Sequence, residues 1–181
     1  MRPISLAVRS VATLALALGA AACDDVPTQS GATEVRGPRM SVSDARAPQL
    51  LVCPTQDATN SRAVIGPTGG SLSVRGSSIT IPAGAVPEPT LFEVEVPVSK
   101  YMEVEIHAVG QPAYVFQKPA TITINFARCP GDAIPMGATL AGAYIDGATG
   151  RVLEVMGGVV DKTGHKLIFI TGHLSGYAIA Y

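Results

Sequence analysis

The chain has 181 residues, 47% hydrophobic and 15% charged, with a formal net charge of −1, which is room for one ordinary domain plus short extensions. So even a charge balance gives no clustered basic face for nucleic acid. The 19 Gly and 14 Pro punctuate the chain too often for long helices.

In chain order, Arg2 and Arg9 form a positive n-region, and Val11 to Ala22 is an unbroken run of apolar and small residues. That run is shorter than the about 20 residues of a membrane helix, so it predicts a signal peptide over residues 1–22. Leu18-Gly19-Ala20-Ala21-Ala22-Cys23 resembles the lipobox of bacterial lipoproteins, with Ala20 where that motif usually has Leu. The resemblance implies cleavage before Cys23 and a thioether link from its thiol to diacylglycerol, which makes the membrane a partner. An ordinary signal cut at the same bond would leave Cys23 as a free thiol, a liability at an exported N-terminus. Asp24-Asp25 resembles an inner-membrane retention signal of some Gram-negative bacteria. The expected address is the cell envelope, at the periplasmic or outer face of a membrane.

Residues 23–48 hold few large apolar side chains and no steady period, so a disordered tether is expected there. About 25 extended residues would reach roughly 80 Å from the membrane. From Gln49 the pattern changes. Leu51-Val52-Cys53 opens an apolar run, and Ser78–Ile81, Phe92–Val96, Glu103–Ile106 and Thr121–Phe126 each alternate polar with apolar residues. Period-2 alternation places Val, Ile and Phe on a buried face and Glu and Thr on the other. Asp146-Gly147-Ala148-Thr149-Gly150 and Asp161-Lys162-Thr163-Gly164 read as hairpin turns needing positive φ rather than as calcium loops, since dense carboxylate spacing is absent. Many short strands without intervening helices predict an all-β fold, an antiparallel β-sandwich over residues 49–181.

Three cysteines are present. In an oxidising compartment Cys53 and Cys129 can pair, leaving Cys23 as the odd one, accounted for by lipid. A bridge would close a loop of about 75 residues, for which the chain-entropy model gives roughly 4 kcal/mol. The alternative is two unpaired buried thiols.

Ala63-Val64-Ile65-Gly66-Pro67-Thr68-Gly69-Gly70-Ser71-Leu72, followed by Ile79-Thr80-Ile81-Pro82-Ala83-Gly84-Ala85-Val86, resembles the opening of a ZU5 domain. Gly110 to Phe126 is similar to the family's second half, and His173 to Ala180 to its last strand. The resemblance runs from about Ala63 to Tyr181. It implies a ZU5-like sandwich that works as a protein-interaction or scaffold module, here with an unidentified envelope protein as partner.

One tripeptide could carry chemistry. His173-Leu174-Ser175 resembles the sequence at which some ZU5-containing proteins cut themselves. His173 would act as general base on the Ser175 hydroxyl, which attacks the Leu174 carbonyl carbon. Gly172 and Gly176 would lend backbone freedom for a sharp turn. The simpler reading is an uncut strand end. His107 and His165 read as surface residues rather than metal ligands. No phosphate loop, nucleophile elbow or paired-carboxylate site appears in the sequence, so the expectation is a non-enzyme without metal or cofactor. A carbohydrate- or cell-wall-binding sandwich is the remaining alternative, with few aromatics for stacking: 5 Tyr and no Trp.

Overall fold

Thirteen strands and no helix make up the domain, which a computed structural model describes over residues 47–181. In chain order they are β1 Val52–Thr55, β2 Thr59–Ile65, β3 Gly70–Val74, β4 Ser77–Ile81, β5 Thr90–Val96, β6 Ser99–Tyr101, β7 Glu103–Ala108, β8 Val115–Asn125, β9 Ala141–Ile145, β10 Val152–Gly157, β11 Val159–Asp161, β12 Lys166–His173 and β13 Gly176–Ala180. The expected signal peptide, Cys23 and nearly all of the expected tether lie outside the described residues.

Two sheets face each other. One has six strands in the order β10-β9-β13-β7-β5-β2, the other five in the order β11-β12-β8-β4-β3, and every ladder is antiparallel. The all-β antiparallel sandwich expected from the alternation is therefore present. Alternating strands build it because each presents one apolar row inward. Phe92, Val94, Val104, Ile106, Tyr177 and Ile179 from the first sheet meet Leu72, Ile79, Ile122, Ile124, Leu167 and Phe169 from the second, all buried.

The chain crosses between the two facing sheets six times, and glycines serve the β2–β3 and β10–β11 crossings. Gly69 has φ +75°, and a Cβ there would lie 2.5 Å from the Ile81 carbonyl oxygen; Gly157 and Gly158 have φ +69° and +135°. The Asp146 and Asp161 segments are the expected turns. Asp146 Oδ1 accepts hydrogen bonds from the Ala148 and Thr149 amides, and Asp161 Oδ1 accepts from those of Thr163 and Gly164. In the second turn the positive φ falls on His165, at 52°, not on Gly164.

The start and end of the domain are stitched together. The Gln49 amide donates to the Tyr181 carbonyl at 3.1 Å, and the Tyr181 amide returns the bond to Gln49 at 3.0 Å. Leu50, Ala143, Ile145, Ala178 and Ala180 form a second small apolar cluster. That is why β13 is buried along its whole length. The described residues belong to one compact unit, Asp44–Tyr181, and contain no helix long and apolar enough to cross a membrane. Cys53 and Cys129 form a disulfide, with Cα atoms 5.1 Å apart, that ties β1 to the loop after β8.

Candidate functional site

The outward face of the six-stranded sheet carries the most organised polar cluster, and its centre is an outward-pointing residue that is nonetheless buried. Glu93 points away from Phe92 and Val94, as period 2 requires, yet it is only 4% exposed. Cross-strand register explains this. Arg62 of β2 and His107 of β7 stand directly opposite Glu93 on either side, and the two long side chains cover the carboxylate. Arg62 Nη2 lies 2.9 Å and His107 Nε2 3.1 Å from Glu93 Oε2, while Asn60 Nδ2 donates to Oε1 at 2.7 Å. The Arg62 hydrogen bond chiefly holds the Glu93 carboxyl below its ordinary pKa, against the opposing effect of burial, and His107 adds to the lowering.

The next row toward the β2–β3 crossing is apolar. Val64 pairs with Leu91, and the amide of Val109, just past the end of β7, donates to the Leu91 carbonyl, so these three residues stand side by side. They are 65%, 37% and 38% exposed. A continuous exposed aliphatic row thus lies beside a fixed Arg–Glu–His lattice, apolar at its centre and polar at its rim.

Because the folded pKa of Glu93 is lowered, its ionised form stabilises the fold above the unfolded value near 4.5, and that contribution disappears as pH falls through the folded value. Glu93→Gln should therefore flatten the acid limb of the stability curve and leave a loss of about 1 kcal/mol or less at neutral pH. The loss stays small because the Arg62 and His107 side chains are 55% and 44% exposed. Urea unfolding of both proteins between pH 3 and 7 checks this. Parallel acid limbs would show that Glu93 is not the titrating group.

The opposite sheet shows a different outer face. Ser73, Ser78 and Thr123 form one cross-strand row and Ser71, Thr80 and Thr121 the next, continued on β12 by Ile168 and Ile170. None of these hydroxyls has a side-chain hydrogen bond to another described residue.

The candidate self-cleavage residues lie at the β12–β13 corner. His173 ends β12, Leu174 and Ser175 form the connection, and Gly176 starts β13. The His173 ring packs edge-on to Tyr144 at 4.9 Å and makes no hydrogen bond to Ser175. The His173 backbone is held firmly: its amide donates to Thr171 Oγ1 at 3.3 Å, and its carbonyl accepts from the hydroxyls of Thr171 and Tyr177. Burial pushes the Tyr177 phenol up to about 12, so it remains a donor. Gly172 and Gly176 have no positive φ, and no cis peptide occurs among the described residues, so the corner turns without left-handed backbone.

His165 is exposed after its turn, edge-on to Phe126, and His107 is paired with Glu93. Among the described residues no group of three His, Cys, Asp or Glu side chains is gathered as a metal site. The sequence reading missed the Arg62–Glu93–His107 row. Its signal, charged residues at outward positions of three strands, becomes visible only when β2, β5 and β7 are known to be neighbours in that register. Comparison with protein-family models gives no match, and comparison with curated proteins gives none.

Proposed function

We propose that the chain is a lipoprotein, exported and held at the cell envelope through a diacylglyceryl group on Cys23, whose ZU5-like sandwich acts as a protein-interaction or scaffold module. The carrying observation is the exposed row Val64–Leu91–Val109 beside the Arg62–Glu93–His107 lattice. An aliphatic strip of this kind gains by excluding water against a partner, and the adjacent charges give the contact its register. β2, the strand that carries Val64, is an edge strand with one unpaired flank, which a partner strand could extend. Self-cleavage at Leu174–Ser175 remains an alternative, with no hydrogen bond between His173 and Ser175 to support it.

A photo-reactive residue placed at Val64 in the full chain, expressed in bacterial cells, is expected to give a discrete cross-linked protein adduct. The same residue at Ser73 on the opposite sheet should not. Val109→Asp should abolish the Val64 adduct while leaving thermal unfolding unchanged. No adduct at Val64, or the same adduct from Ser73, would count against docking at this row. A second reading, carbohydrate binding, draws support from the unpaired hydroxyl grid, in which neighbouring strands are about 4.8 Å apart. A neutral glycan bound by the chain and lost on Thr80→Glu would move the function to that face.

A further inference from the structure

At the end of the sandwich where β8 finishes and β12 begins, a cleft of about 640 Å³ opens between the 127–140 loop and the β11–β12 hairpin. It is of the size that takes small molecules, roughly 300–1,000 Å³. Ile134 and Val160 supply partly exposed apolar walls, over the nearly buried Phe126 and Leu140. The lining also carries two basic side chains, Lys162 and His165, and no carboxylate. Both ion pairs among the described residues involve Glu93, so neither basic group has an acidic partner. The nearest acid in sequence, Asp161, has Oδ1 occupied by the amides of its own turn.

His165 closes the β11–β12 hairpin turn with a left-handed backbone, φ 52°, which glycine would adopt without strain. The turn sets its imidazole on the cleft wall, edge-on to Phe126 with centroids 5.8 Å apart.

We propose that this cleft binds a single-chain anionic amphiphile, a long-chain carboxylate, with the hydrocarbon against Phe126, Ile134, Leu140 and Val160 and the carboxylate toward Lys162 and His165. The apolar walls select a hydrocarbon, and the Lys162 ammonium, without an acidic partner and beside the His165 imidazole, selects an anionic head over a neutral one. The site is separate from the Val64 row, so either can fail without the other.

The test uses the full chain carrying Cys23→Ser, purified without detergent, and the probe 11-dansylaminoundecanoate. A saturable rise in dansyl fluorescence is expected, reversed by myristate and at least tenfold less effectively by the neutral alcohol tetradecanol. Lys162→Glu should weaken probe binding at least tenfold, and Val64→Asp should leave it unchanged. His165→Gly should weaken binding about threefold while raising the melting temperature, which separates loss of the ligand contact from loss of folding. No fluorescence rise, displacement by tetradecanol equal to that by myristate, or undiminished binding by a folded Lys162→Glu protein would each overturn the proposal. The acid-against-alcohol comparison needs no variant, so it decides the matter even if a substitution impairs folding.

Discussion

Replacing Cys53 and Cys129 together by alanine is expected to lower the unfolding free energy by about 4 kcal/mol. The bridge closes a separation of 76 residues, and cross-linking so long a loop removes much of the unfolded chain's freedom. Folded domains are stable by only about 5–15 kcal/mol, so the unbridged protein should sit near the edge of folding. The effect also has a location. β1 pairs only with the three-residue β6, and the 127–140 loop has no strand of its own, so the bridge holds two segments that the main ladders reach poorly. Urea unfolding with and without reductant, beside the double-alanine protein, measures the loss. Hydrogen exchange should show β1 and the loop opening first. Coincident unfolding midpoints for the bridged and unbridged chains would mean that packing alone fixes these segments.

Gly142 should tolerate a side chain almost as badly, for a steric reason. A Cβ there would stand 2.6–2.8 Å from three atoms of the buried Phe169 ring across the sandwich. Gly142 has no positive φ, so what the glycine supplies is space rather than a special conformation. Gly142→Ala should cost about 2 kcal/mol and Gly142→Val about 3 kcal/mol, the range of overpacked cores. Phe169→Leu should recover part of the loss in the double variant, because the two residues contend for one volume. Gly172→Ala is the control: nothing lies within 4 Å of its would-be Cβ and its φ is not positive, so denaturation should change little. Additive losses for Gly142→Ala and Phe169→Leu would place the strain elsewhere.

Both predictions mark how far the linear chain carries. Thr121–Phe126, Ser78–Ile81 and Phe92–Val96 alternate so regularly that strands follow from composition along the chain, and Asp146 and Asp161 give their turns away by the local chemistry of a carboxylate beside its own amides. Cys53 and Cys129 were legible as a possible pair by counting, though an unpaired state stayed open until their Cα atoms were placed 5.1 Å apart. A residue's side of its strand is a property of backbone geometry and needs no partner.

Burial is another matter. Glu93 and Glu95 occupy equivalent outward positions in one strand, but only Glu93 is covered, because register sets Arg62 and His107 beside it. The Val64–Leu91–Val109 row, the collision awaiting a side chain at 142, and the joining of Lys162 and His165 to Ile134 and Leu140 around one cleft likewise depend on residues far apart in sequence. Alternation, turns and cysteine count thus determined an antiparallel sandwich from the sequence alone, since each rests on neighbours along the chain. Strand order and register decided which polar groups are buried, which apolar groups are left open and where a cleft forms, because those depend on contacts that exist only once the two sheets close.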